Sequence, residues 1–359
     1  MRLIAMVNDK YFQEPISSWM KKKAPEKEIV ISSRVRLARN LNNYPFPMLI
    51  TAVQAGNLIS EVKDVINLNE FEQLGIMDLM IIKELNDLQK KVLVEKHLIS
   101  LNLANESREG ALLLNESESV SIMINEEDHI RIQCLNAGLQ VQEAWSSASK
   151  YDDIFENSLN YAFDEKYGYL TSCPTNVGTG IRASVMVHLP ALVLTNQINR
   201  IIPAITQVGL AVRGIYGEGS ESIGNMFQIS NQITLGQTEE EIIGNLHSVI
   251  NQIIELEKLG RDNLVKESRF QIEDKVGRSL GILSNAKIID SKEAAMRLSD
   301  IKLGIDLNMV KGVSSTIIDE LAILIQPGFL QHIAKKTLNT EERDIRRATI
   351  IREKLSFIH

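Results

Sequence analysis

The segment Ile29-Val-Ile-Ser-Ser-Arg-Val-Arg-Leu37 constrains this chain more than any other. A period of two puts Ser32, Arg34 and Arg36 on one face of a strand and Ser33, Val35 and Leu37 on the other, so two guanidiniums share a face. The pattern recurs. In His129-Ile-Arg-Ile-Gln-Cys134 it groups His129, Arg131 and Gln133, and in Ile181-Arg-Ala-Ser-Val-Met-Val-His188 it groups Arg182, Ser184 and Met186. Leu210-Ala-Val-Arg213 adds a fourth case. Taken singly, each is the solvated face of a one-sided sheet. Placed in one sheet, they bring five arginines onto a common face, where like charges side by side are destabilising unless an anion fills the space. A triphosphate with its metal would supply that anion, held by forked guanidiniums matched to phosphate oxygens.

The rest of the chain places this sheet in an α+β body. With 359 residues, 44% apolar and 24% charged, the sequence belongs to an ordinary folded protein of about two and a half domain lengths. Residues 1–28 read as a short N-terminal helix and linker, and 29–257 mixes strand-like alternation with helical stretches such as 52–68 and 84–99. Thr238-Glu-Glu-Glu241 is a capping box, and from there only helices follow, giving a C-terminal helical domain over 258–359. Further helix starts are expected at Thr316 with Asp319 and at Asn339 with Glu342, and a break at Gln326-Pro-Gly328. The net charge of −7 argues against direct nucleic-acid binding through bulk positive charge. Two cysteines, no signal-peptide pattern and no apolar run of about 18 residues point to the cytoplasm and away from membranes.

The common phosphate motifs do not account for the arginines. The chain has no Gly-x-x-x-x-Gly-Lys-Ser/Thr loop. Gly178-Thr-Gly-Ile-Arg-Ala183 opens a strand rather than a helix, the wrong context for a dinucleotide fingerprint. Asn125-Glu-Glu-Asp128 lies between two strand-like runs and reads as a hairpin tip, while Gly217-Glu-Gly-Ser-Glu-Ser-Ile-Gly224 reads as a glycine-rich loop after the Arg213 strand. Cys173 sits in a polar, glycine-rich stretch, Thr171-Ser-Cys-Pro-Thr-Asn-Val-Gly-Thr-Gly180, an unusual place for a buried small hydrophobe.

Four motifs, Ser32-Ser-Arg-Val-Arg36, Asn125-Glu-Glu-Asp-His-Ile-Arg131, Cys173-Pro-Thr-Asn-Val-Gly-Thr-Gly180 and Arg213-Gly214, occur in the order found in the phosphagen kinases, the creatine and arginine kinase family, which the chain resembles over roughly 29–255. The resemblance implies a catalytic domain with an antiparallel sheet flanked by helices, working on Mg-ATP. It implies ATP contacts from Ser32, Ser33, Arg34, Val35, Arg36, His97, Arg131, Arg182, Ala183, Ser184, Val185, Met186, Arg213, Gly214, Ile215, Tyr216, Gly217 and Glu218, with no metal ligand from the protein itself. Glu127, Glu218 and Cys173 would contact the acceptor guanidinium and be the catalytic residues. The chemistry supports that assignment. A guanidinium nitrogen becomes a nucleophile only if carboxylates hold it in line and accept its proton, and a thiolate beside the cation would be favoured by the same charge.

Departures from the small-guanidine kinases narrow the expectation. Those enzymes cover their substrate with a helical domain ahead of the first arginine motif, whereas 31 residues precede Ser32 here, so an open acceptor site is expected. Met186 stands where they usually have histidine. An open site with a C-terminal helical domain resembles the bacterial protein arginine kinases, and Arg343-Asp-Ile-Arg-Arg-Ala348 matches their phosphoarginine-binding motif. On a helix, Arg343 and Arg347 lie one turn apart with Asp344 beside them, giving two forks for a phosphate and a carboxylate for a guanidinium. The resemblance further implies allosteric control by phosphoarginine, a CtsR-type repressor as substrate, an McsA-type activator, ClpC–ClpP protease as downstream reader, a role in stress response and regulated proteolysis, and a homodimer or higher oligomer. Two rival readings remain: a kinase for a free small guanidine, and a non-catalytic adaptor that binds phosphoarginine.

Overall fold

The computed structural model describes residues 10–105, 109–214 and 223–356. Eight strands form one sheet: β1 (Val30–Arg39), β2 (Met77–Ile81), β3 (Ala111–Asn115), β4 (Val120–Ile124), β5 (Ile130–Ala137), β8 (Ile181–His188), β9 (Leu210–Gly214) and β10 (Met226–Asn231). Their order is β2-β3-β4-β5-β1-β8-β10-β9, and a separate hairpin joins β6 (Phe163–Asp164) to β7 (Gly168–Tyr169). The pairings from β2 through β5 to β1 are antiparallel, as expected.

The chain divides into two compact units. The first comprises Met1–Pro25, Ser32–Val185 and Ser230–His247. Its helices are α1 (Lys10–Gln13), α2 (Ala52–Ile66), α3 (Asn69–Gln73), α4 (Asp87–Glu95), α5 (Leu101–Asn105) and α6 (Val141–Ser158). Val35, Leu37, Ile132, Ala183 and Val185, which alternate with the arginine-face residues of their strands, are fully buried, as is Ile122 opposite Ile132. Helix α6 packs against β5 and also meets α2 and α3. One sheet face is therefore core, which leaves the arginine face for function.

The second unit comprises Glu26–Ile31, Met186–Ile229 and Ser248–His359. It holds α7 (Pro190–Leu194), α8 (Ile198–Gln207), α10 (Arg269–Asn285), α11 (Ser291–Asp306), α12 (Ser315–Leu324), α13 (Pro327–Ala334) and α14 (Thr340–Leu355). Helix α9 (Glu239–Glu267) runs unbroken past residue 257, the expected domain boundary. The capping boxes at Thr238 and Asn339 form as expected, each with reciprocal bonds to a glutamate three residues on. The expected start at Thr316 does not hold: the N-cap is Ser314, without a side-chain bond, so α12 begins two residues earlier. Proline at the first position of α13 explains the break at Gln326-Pro-Gly328.

Candidate active site

In the first unit, the register of β1 against β5 sets Arg36 opposite Gln133 and Arg131 opposite Ala38, so the guanidiniums of both strands lie on one face. Arg34 Nε donates to Ser184 Oγ of β8 at 3.3 Å. Burial, then Arg131 and Arg182, push Arg34 down to about 10. Arg36 falls well below the usual arginine range because of burial and then Arg34, Arg131 and Arg182, with Glu126 opposing. Its Nε is a buried donor with no acceptor among the described residues. Four arginines thus crowd one surface at a cost that an anion would relieve.

His97 belongs to the same cluster. Its backbone is left-handed (φ 59°), and Gln133 Nε2 holds its carbonyl at 2.8 Å while also donating to Ser121 Oγ at 2.9 Å. The residue is exposed, and desolvation within the arginine cluster and then Arg34 shift the imidazole below its usual range, which favours the neutral ring. Beside it, the fully buried Lys96 Nζ donates to Tyr11 O, Glu14 O and Glu118 Oε1, fastening the N-terminal segment to this corner. Sequence reasoning missed Gln133 and Lys96 as supports, because their partners lie far away in sequence.

The other expected nucleotide residues divide. Ser32 of β1 pairs with Ala137 of β5. Ser33 is buried on the core face, where Oγ donates to Gly138 O and accepts from Gln140 N. Val35, Ala183 and Val185 have side chains in the core. Met186, Arg213 and Gly214 lie in the second unit, all half-buried. Ile215, Tyr216, Gly217 and Glu218 lie outside the described residues.

The hairpin between β4 and β5 carries the carboxylates. From Ser121 to Ile130 every residue except Glu127 is buried. Glu126, buried beneath it, accepts from Ser100 Oγ at 2.5 Å and from Arg131 Nη1 at 2.7 Å. Burial acts to raise its pKa, and Arg131, Ser100 and a backbone bond outweigh that, so Glu126 stays charged. Glu127 is shifted the other way: burial, Asp128 and Glu126 raise it against Arg131 and Arg36. A carboxylate of raised pKa is the better proton acceptor. Asp128 Oδ1 accepts from Asn40 Nδ2 at 2.6 Å and from the Ser172 amide at 2.7 Å, tying the hairpin to the residue before Cys173. Half-buried Cys173 has Sγ 3.0 Å from Thr175 Oγ1. The structure therefore brings Glu127 and the Cys173 loop together through Asp128, a link the sequence alone did not reveal.

The loop continues to Gly180, where φ is +65° and a Cβ would sit 2.5 Å from Arg39 Nη1 and 2.6 Å from Ala38 O, so only glycine fits. Arg39 is itself locked by Asp152 at 2.6 Å and stacks 3.6 Å over the Tyr169 ring. Among the described residues no group of three potential metal ligands gathers.

In the second unit, Arg343, Asp344 and Arg347 all lie on α14. Arg347, 2% exposed, donates Nε to Ile325 O and Nη1 to Ile289 O, and Nη1 also meets Asp344 Oδ1 at 2.5 Å. Arg343 is half-buried and donates to Leu338 O and Thr340 Oγ1. The structure pairs Asp344 with Arg347 and turns Arg347 inward, so the two guanidiniums share no acceptor among the described residues.

Comparison with known proteins places these sites in context. A family model for the ATP:guanido phosphotransferase C-terminal catalytic domain matches residues 57–259, and one for the protein-arginine kinase McsB C-terminal domain matches 269–359. A protein-arginine kinase of Brevibacillus brevis is 56% identical over 353 residues, 98% of this chain and 99% of that protein. One from Geobacillus stearothermophilus is 57% identical over 346 residues, 96% and 95% of the two chains. Among solved structures, a lombricine kinase matches with a TM-score of 0.55 and 21% identity over 68% of this chain and 70% of that one. A duplicated taurocyamine kinase from Schistosoma mansoni with bound transition-state-analogue components matches with a TM-score of 0.59 and 21% identity over 85% and 51%. These two matches speak for the fold.

Proposed function

Because the chain belongs to the protein-arginine kinases of the ATP:guanido phosphotransferase family, and so is a guanidino phosphotransferase that uses ATP and acts on protein arginine, we propose how its residues divide the work. Arg34, Arg36, Arg131 and Arg182 bind the phosphates, with Arg213 and neutral His97 as further nucleotide contacts. The single observation that carries this is the buried Arg36 Nε without an acceptor amid mutually repelling guanidiniums. Mg²⁺, carried in with the nucleotide that these arginines would hold, would neutralise phosphate charge.

On the acceptor side, Glu127 orients the substrate guanidinium and accepts its proton, with Glu218 as the second carboxylate. Cys173 pairs with the substrate cation. Asp128 sets the hairpin and the Cys173 loop in register. The phosphoryl group in flight carries spread negative charge, so positioning and the arginine face supply most of the catalysis. Asp344, with Arg343 and Arg347, forms a phosphoarginine effector site. We also propose the cytoplasmic, stress-linked setting: a CtsR-type repressor among the substrates, an McsA-type activator, ClpC–ClpP as reader, and a homodimer or higher oligomer.

The test is direct. With Mg-ATP and a protein substrate, the chain forms acid-labile phosphoarginine by mass spectrometry, and Glu127→Ala or Glu218→Ala lowers the rate at least about a hundredfold with ATP affinity nearly intact, the scale of a lost general base. A loss of ATP affinity as large as that of Arg36→Ala would move either glutamate to the nucleotide side.

A further inference from the structure

Thr234, just past the end of β10, is inverted relative to its neighbours. It is 4% exposed, while Ile233 is 47% and Leu235 51% exposed. Burial alone favours the opposite arrangement, so something other than core packing turns this hydroxyl inward. The backbone here is set by Asn231, whose Nδ2 donates to Ile181 O and Ile233 O at 3.1 Å each and whose Oδ1 accepts from Ala183 N at 2.8 Å. Thr234 is thereby laid against the Cys173 loop. Its Oγ1 donates to Val177 O at 2.7 Å, with Thr175 O also within reach at 3.0 Å. Its carbonyl accepts from Thr179 N at 3.1 Å and from Thr179 Oγ1 at 3.3 Å. The two backbones approach so closely that a Cβ on Gly178 would lie 2.3 Å from Thr234 O.

Three anchors therefore divide the loop. Asp128 holds its start at Ser172 N, Arg39 Nη1 and Ala38 N hold its end at Thr179 O and Gly180 O, and Thr234 holds the stretch between them. The end anchor leads straight into Arg182 of the arginine face. The middle stretch instead borders Cys173, whose Sγ lies 3.0 Å from Thr175 Oγ1. We propose that Thr234 is a positioning residue for the acceptor: by fixing the Thr175 and Val177 carbonyls it sets Cys173 against the substrate guanidinium, and it takes no part in nucleotide binding. This rests on the reading that Cys173 faces the acceptor. In-line transfer tolerates little misplacement of the groups that orient the nucleophile, so a loop released at its middle costs turnover even with its two ends held.

The test compares Thr234→Val, nearly the same shape but without a hydrogen to donate, with Thr234→Ser, which keeps the hydroxyl. With Mg-ATP and an unstructured arginine-containing protein, kcat of Thr234→Val falls about tenfold or more while KM for ATP changes less than about twofold, and Thr234→Ser stays within about twofold of the wild type on both. Amide hydrogen exchange over 176–179, read by mass spectrometry without substrates, gives a measure apart from turnover: it quickens about threefold or more in Thr234→Val and not in Thr234→Ser. A loss of ATP affinity that matches the loss of turnover overturns the proposal, because Thr234 would then support the whole unit. So does a Thr234→Ser variant as slow as Thr234→Val. Unchanged exchange with unchanged turnover overturns the clamp itself. Faster exchange with turnover intact would leave the clamp standing and remove the Cys173 loop from the acceptor side, so that the proposal falls with the reading beneath it.

Discussion

Arg36 shows at the scale of one residue how function is held against stability. Its Nε is buried without an acceptor, and three neighbouring guanidiniums repel it. Removing it should relax the nucleotide-free protein and impair ATP binding together. Arg36→Gln is expected to raise Tm by about 2–4 °C without nucleotide, as about 1 kcal/mol would in a chain of this size. The same change should weaken ATP binding about tenfold or more, one lost charge-assisted contact. Differential scanning calorimetry beside titration calorimetry checks both, and a variant that loses stability would show Arg36 to be structural. The alternation in Ile29–Leu37 made Arg36 legible because period two is a local property. The same alternation put Ser33 and Val35 on the opposite face, where both are buried; what it could not show was that Ser33 Oγ bonds Gly138 O and Gln140 N at the start of α6.

The β4–β5 hairpin is the element on which the proposed acceptor site turns. His129 fixes it by accepting from Leu41 N and donating to Pro45 O, an arrangement only the neutral ring can make. Burial pushes its pKa down from 6.5 to about 4, with the Pro45 bond opposing. On account of this buried ring the unfolded chain binds more protons than the folded one between about pH 6.5 and 4, so the stability it contributes is full above pH 6.5 and declines as pH falls through that window. Urea midpoints at pH 7.5, 6 and 4.5 should fall in that order, and His129→Gln should flatten the trend; a midpoint that rises on acidification would contradict it. The hairpin itself was legible, since polar residues between two alternating runs mark a turn. The ties from Asp128, Lys96 and Asn125 were not, because they join residues tens of positions apart and leave no periodic trace. The start of α12 was misread for a local reason: Thr316 and Asp319 have capping-box spacing, but Ser314 occupies the cap.

At the scale of the whole molecule, the proposed catalytic and effector sites fall in different compact units, Arg34, Arg36, Arg131, Arg182 and Glu127 in one and α14 in the other. If phosphoarginine binds at α14, the two sites are linked by a coupling free energy and each must affect the other. Asp344→Ala should abolish the change in activity on adding free phosphoarginine while basal phosphorylation persists, read by calorimetry beside a rate assay. Equal responses in the two proteins would reduce the motif to a charged helix surface. Arg347→Ala is the control for structure, since it strips a buried guanidinium from two carbonyls and Asp344 and should lower the melting temperature.

The two thiols of the chain differ in one respect that reaches beyond catalysis. Cys134 is 1% exposed on the core side of β5, with burial pushing it up to about 12, whereas Cys173 is half-buried in the acceptor loop. A thiol-selective electrophile that meets the folded protein therefore finds one reachable thiol, and it stands in the loop proposed to hold the acceptor. On that proposal, a designed warhead captured there would stop turnover.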